Sequence, residues 1–282
     1  MQTLPKHIQL IEMGPAEAWV VRLAPDARDA WLHALLAAGM HAWGVYDCER
    51  DASLLAHKLS CAHAFVSQHT DIERAQTQGV HVVCVTVAAS DQYAQRHGGG
   101  STSHCLDHAL EMIEFAHSAG MTVRGRVQCA FGCPYDEAVL NSSVAAVAST
   151  LYEMGCDTIT LLDDLGILTP PAVHTCLDAV ARDVPFKKLT LRFCDRYGMA
   201  LVNVYGALKC GIHSFECAAG GVVPLQLESG IVGTVASEDI LYLVQGLGIK
   251  TGVDLPRVLE ASRNLIRATG LAARSRVVQA WP

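Results

Sequence analysis

The chain has 282 residues, 51% of them apolar and 17% charged, with a formal net charge of −7 and a pI near 6.0. That length suits one α/β barrel or two small domains with a large buried core, and the acidic balance argues against a nucleic-acid-binding surface. The apolar runs stop short of the about 18 residues of a membrane span, and the start Met-Gln-Thr-Leu-Pro-Lys-His lacks signal-peptide form. The eleven cysteines are an odd, scattered set, which suggests buried thiols in a reducing cytoplasm rather than a disulfide framework. Cys129 and Cys133 have no second pair at zinc-finger spacing.

Taken in order, short apolar runs alternate with helical stretches. Strands are expected at Ile8–Met13, His41–Tyr46, Cys61–Ser67 and His81–Ala89, with helices at Pro25–Gly39 and Asp71–Gln78. A loop at Arg96–Ser103 with three consecutive glycines leads into a helix from Cys105 to Ala119. Thr122–Phe131 reads as the fifth strand, and Ser142 or Ser143 as the cap of a helix reaching Met154. Thr158–Asp164 is the sixth strand, and Pro170 and Pro171 open the next helix, where proline is tolerated. Lys188–Asp195 and Ser214–Ala219 are the last two strands. A lid loop over about 220–234 and helices at Ser237–Gly246 and Leu255–Thr269 follow, and the tail Ala273–Pro282 reads as a surface appendage.

Eight βα repeats point to an α/β fold of one domain, a (β/α)8 TIM barrel with extra C-terminal helices. The rival, a doubly wound sheet, lacks a G-x-G-x-x-G after the first strand. In strand seven, Leu189, Leu191 and Phe193 alternate with Thr190, Arg192 and Cys194, so Arg192 and Cys194 share the barrel's interior side, with Asp195 at the mouth.

Several segments resemble 3-hydroxy-3-methylglutaryl-CoA lyase, a metal-dependent TIM-barrel family: Val123–Tyr135 (V-R-G-R-V-Q-C-A-F-G-C-P-Y), Leu151–Cys156, Gly246–Leu255 and R-V-V-Q-A near the end. The resemblance implies acyl-CoA carbon–carbon cleavage, a homodimer involving the C-terminal helices, and a bound Mg2+ or Mn2+. At the positions the family uses for catalysis, however, the residue types differ. The family's Gly-Pro-Arg-Asp start is here Gly14-Pro15-Ala16-Glu17, and its His-x-His metal ligands fall on Arg192 and Cys194. The lid cysteine falls on Leu225, an asparagine ligand on Thr234, a strand-two glutamate on Gly44 and a strand-five tyrosine on Arg126. The strand-six aspartate is kept as Asp163.

A guanidinium has no lone pair to give a metal and repels it, by on the order of 4 kcal/mol at ~4 Å and an effective dielectric near 20. The expectation is therefore a site without the family metal, in which Glu17 pairs with Arg192 in its place. Catalysis would fall to Glu17, Asp163, Arg192 and Cys194, with Asp163 as general base, and substrate binding to Arg126, Arg192 and Glu216. The ligand would be a small-molecule carboxylate or acyl-CoA, since arginines hold carboxylates bidentately and can stabilise an enolate. Blander roles stay open: the arginines as neutralisers of interior acids, Asp163 as their partner, Cys194 as a small buried apolar residue, and the triple glycine as a plain βα loop.

Overall fold

The computed structural model describes residues 4–14, 23–40, 42–45, 48, 62–135, 138–221, 224–227 and 230–281, with the backbone alone for 25, 224–227 and 230–232. Eight parallel strands close into a barrel in sequence order. They are β1 (Gln9–Glu12), β2 (Ala42–Val45), β3 (Ala62–Phe65), β4 (Val82–Ala88), β5 (Thr122–Gln128), β6 (Thr158–Leu162), β7 (Leu189–Arg192) and β8 (Ser214–Cys217). β1 pairs with β8 through Leu10 opposite Phe215, which closes the ring. The expected TIM barrel is the observed fold.

The helices form the outer ring: α1 (Pro25–Ala37), α2 (His69–Thr77), α3 (Asp91–Arg96), α4 (Thr102–Ser118), α5 (Asn141–Glu153), α6 (Pro170–Val180) and α7 (Ala200–Lys209). After β8 come α8 (Ser237–Gly246), α9 (Leu255–Thr269) and α10 (Arg276–Ala280). Among the described residues no helix is long and apolar enough to cross a membrane. One strand face buries against the helices. Leu189, Leu191 and Phe193 of the β7 segment join Val83, Val85 and Ile159 in a single apolar cluster with Met112, Leu151 and Leu177. Full burial of such side chains contributes about 1.5–3 kcal/mol each. The other face lines the barrel and holds a second, small apolar cluster of Ile11, Met13, Ala42, Phe65 and Cys84.

Three local readings need correction. α5 begins at Asn141 after Leu140, with no side-chain cap, so neither Ser142 nor Ser143 caps it. The segment after β8 contains an antiparallel hairpin, β9 (Pro224–Leu227) and β10 (Gly230–Gly233), with Leu225 opposite Val232. The tail is not an appendage. Asp239 accepts hydrogen bonds from the Ser275 hydroxyl and from the backbone N–H groups of Arg276 and Val277, which anchors α10 onto α8. The ten described cysteines are all free thiols, eight of them buried.

Candidate active site at the barrel mouth

The interior of the barrel is largely polar. β5 alternates Arg124, Arg126 and Gln128 with Val123, Gly125 and Val127, and both arginines are buried. In the lower layer the Arg124 guanidinium donates to the Thr190 hydroxyl at 2.8 Å, which in turn donates to Ser214 at 3.0 Å. His63 sits beside this layer. Burial first, then Arg124 and Arg126, depress its pKa to about 3, so it is neutral. The residues of this layer were not singled out from the sequence, although the alternation that places Arg126 places Arg124 as well.

One layer higher, Arg126 Nη2 meets Glu216 Oε2 at 2.9 Å, with both side chains almost fully buried. Its guanidinium also stacks 4.4 Å above the Phe65 ring. Nε and Nη1 of Arg126 are buried with no hydrogen-bond partner among the described residues, as is the hydroxyl of Thr160, the residue registered beside Arg126 on β6. Buried donors are rarely left open without a ligand or water to meet them.

Arg192 lies on β7 next to Glu216 on β8 in register, and is buried. Its Nε and Nη2 both donate to the Thr234 hydroxyl, at 3.2 and 2.9 Å. The backbone brings Thr234 there. Val235 N donates to Phe193 O, and Asp195 N to Gly233 O, so the segment after the hairpin runs antiparallel to the end of β7 with Cys194 opposite Thr234. Three positions separated in sequence thus converge: Arg192, Cys194 and Thr234. Asp195 turns away, and its Oδ1 accepts from Ala200 N at the start of α7.

Asp163 is placed differently from the other predicted groups. Its Oδ1 accepts the backbone N–H groups of Leu165 and Gly166 at 3.1 and 2.8 Å, folding the turn after β6. Gly166 has φ +65°, and a Cβ there would lie 2.8 Å from Cys194 O, so the turn fits against the end of β7 only as glycine. Burial raises the Asp163 carboxyl to about 7, against the Gly166, Leu165 and Cys194 backbone. On its neighbour Asp164 both arginines act. Its Oδ2 accepts Cys129 N at 2.7 Å. Burial raises its pKa, while the Cys129 bond, Arg192, Arg126 and Gln128 pull it back.

Glu17 and the proposed Glu17–Arg192 pair lie outside the described residues, as does the Leu225 side chain. Gly44 sits in β2, where no side chain is available to bind an ion. Cys194 is buried beside Thr234. Sequence reading missed Glu12. It is fully buried at the top of β1 and accepts from Gly14 N, Ala219 N and the Ser237 hydroxyl. Glu238 on α8 does the same for Gly220 N and the Ser262 hydroxyl. Together they root the β9–β10 hairpin.

Two adjoining cavities open along the mouth at β3 to β5. One, of about 540 Å³, reaches Phe65, Asp71, Arg74, Thr86 and Gln128. The other, of about 480 Å³, shares Thr86, His108 and Gln128 and runs over Tyr93, His97 and the glycines Gly98 and Gly99.

With this geometry, the HMGL-like family model matches residues 41–265. The chain belongs to the HMGL-like family. It is 33% identical to the 3-hydroxy-3-isohexenylglutaryl-CoA/hydroxy-methylglutaryl-CoA lyase of Pseudomonas aeruginosa, over 98% of both chains. It is 34% identical to the cytoplasmic 3-hydroxy-3-methylglutaryl-CoA lyase of Rattus norvegicus, covering 98% of this chain and 85% of that one. The crystal structure of hydroxymethylglutaryl-CoA lyase from Pseudomonas aeruginosa superposes with a TM-score of 0.92 at 32% identity, covering 98% of each chain. As an HMGL-like protein, the chain carries the family's barrel with Arg192 and Thr234 hydrogen-bonded to each other where the resemblance implies two metal ligands.

Proposed function

We propose that this chain is a carbon–carbon lyase or related enolate-forming enzyme that acts on a carboxylate or acyl-CoA substrate without the family's divalent metal. The observation that carries this reading is the Arg192 guanidinium, held on Thr234 by two hydrogen bonds. Magnesium or manganese needs several oxygen or nitrogen donors. Arg192 offers none, and Thr234 is occupied by Arg192. Glu216 is engaged with Arg126, and Asp164 with Cys129 N. Among the described residues no group of three or more His, Cys, Asp or Glu could hold a metal ion. These donors do not fit a dication.

Arg192 instead supplies the positive charge that steadies an enolate oxygen, a role electrostatics fills well in a water-poor site. The two open donors of Arg126 suit a carboxylate, with Glu216 holding the guanidinium in place. Cys194 shapes the wall beside Arg192, and Glu17 keeps the catalytic role the sequence suggests for it. A carboxylate of the Asp163–Asp164 pair moves the proton. The cavities along β3 to β5 give an acyl-CoA tail a path towards Gly98 and Gly99, in keeping with the acyl-CoA substrates named for the relatives. We extend the proposal to a cytoplasmic homodimer. An apolar groove of about 710 Å³ between α7, α8 and α10, with Tyr242 60% exposed, is where a second copy would seat.

A second reading, an orthodox metal-dependent hydroxymethylglutaryl-CoA lyase, draws on the full-length similarity to lyases. A third, a non-catalytic ligand-binding barrel, would predict charges that satisfy one another, and the open donors of Arg126 weigh against it. One assay separates them: release of acetyl-CoA from hydroxymethylglutaryl-CoA, together with deuterium exchange into the acetyl-CoA methyl group, each with EDTA or with Mg2+ or Mn2+. The expected result is exchange or cleavage that EDTA leaves unchanged. Loss with EDTA and recovery with metal would establish the orthodox reading, and binding without either reaction the third.

A further inference from the structure

We propose that Asp164, rather than its neighbour Asp163, is the proton-transferring carboxylate of this site. The inference rests on the metal-independent reading above and names the group that reading needs.

The two aspartates sit at the end of β6, where strand alternation has just stopped, and they do different work. Asp163 spends one oxygen on the backbone of Leu165 and Gly166 and so builds the turn that packs under Cys194. Its second oxygen is buried and meets no hydrogen-bond donor within ordinary geometry among the described residues, which makes Asp163 the rival candidate. The main influences on it after burial are the Gly166, Leu165 and Cys194 backbone and Asp164.

Asp164 lies in the field of the site's arginines. Arg192 and Arg126 both act on it, and Arg126 is the group with two open donors. Its other contact is made under strain. Cys129 has φ +57°, the one positive φ at a non-glycine among the described residues, and this conformation aims its N–H at Asp164 Oδ2. Such backbone persists only where its surroundings over-determine it, and it gathers at functional sites. Gln128 acts on Asp164 as well, and its amide donates to the Tyr93 hydroxyl at 2.6 Å. It also lines both mouth cavities. After burial, Asp164 is the largest influence raising the Tyr93 pKa, which puts the phenol within its field too.

In the cleavage direction, ionised Asp164 takes the proton of the substrate's tertiary hydroxyl. The oxygen's electron pair forms the new ketone, the adjacent carbon–carbon bond breaks, and its pair becomes the thioester enolate whose oxygen faces Arg192. Protonated Asp164 returns that proton to the enolate carbon, giving the methyl group of the second product. Atoms and charge balance with no other reactant.

The test is deuterium exchange into the methyl group of acetyl-CoA in D2O with EDTA present, followed by proton NMR across pH, for the full chain and for D164N, D163N and D164E. Asparagine keeps an acceptor for Cys129 N, so D164N should fold, as circular dichroism would verify. The expected result is a loss of about 10²- to 10⁴-fold in D164N, the usual size of a general-base contribution. The acid limb of the pH profile should vanish in D164N, persist in D163N whatever the rate of that variant, and return, displaced, in D164E. Exchange in D164N near the parent rate, or a limb lost in D163N instead, overturns the assignment while leaving the proposed function standing. Should D164N not fold, D164E carries the test, and a limb that does not move overturns it. No exchange and no cleavage in the parent chain overturns the proposed function and this assignment with it.

Discussion

The two faces of the same eight strands have little in common. Outward, the strands bury an almost purely apolar layer under the helices, from Val83 to Leu191 and Phe193. Inward, they carry Arg124, Arg126, Arg192, Glu216, Thr160, Thr190 and Ser214, with a small apolar plug on the β1 to β4 side. The outer layer carries most of the apolar burial that holds the barrel. The inner layer is a charged network that adds little net stability, because desolvation offsets much of what its pairs contribute. This division lets a family keep its barrel while the groups inside it change type.

Substitutions test that division. Phe193→Ala, which empties a fully buried site in the outer layer, should cost about 4 kcal/mol in urea unfolding, with a native-like site in the fraction that remains folded. Glu216→Ala should cost about 3 kcal/mol, because it strands the Arg126 charge in the barrel. Adding Arg126→Met to Glu216→Leu should return stability to within about 1 kcal/mol of the parent while abolishing ligand binding. If the double variant is as unstable as the single one, the inner network holds the barrel together and the contrast fails.

The smallest effect is a pH dependence at the hairpin root. Burial lifts the Glu238 carboxyl from 4.5 to about 8. The folded state therefore holds this proton more tightly than the unfolded chain does. The stabilisation is complete below about pH 4.5 and declines as pH rises through about 8. Urea midpoints from pH 4 to 9 should fall across that window, and E238Q should flatten the fall. The buried Asp163, raised to about 7, slopes the same way and would survive in E238Q as a smaller remainder.

Most of the barrel could be read from period-two and helical patterning, because the outer layer repeats it strand after strand. Leu189, Leu191 and Phe193 against Arg192 is one case, and it placed Arg192 on the inner side correctly. Asp163 and Asp164 lie one and two residues past the last β6 pairing, where alternation no longer says which side chain faces the arginines. Glu12 was invisible for another reason. Its partners Ala219 and Ser237 stand 207 and 225 residues away, and a lone carboxylate at a strand end carries no local signal. The tail misled because its short helix is held by a remote aspartate rather than by its own pattern.

That tail also touches the hairpin root directly. Gly220 O accepts the N–H groups of both Arg274 and Ser275, while Gly220 N is held by Glu238. The peptide at the hairpin root is thus clasped from one side by a helix and from the other by the segment between α9 and α10. A pull on Arg274 and Ser275 would loosen that clasp, so a disturbance of α10 would be felt at the base of the hairpin.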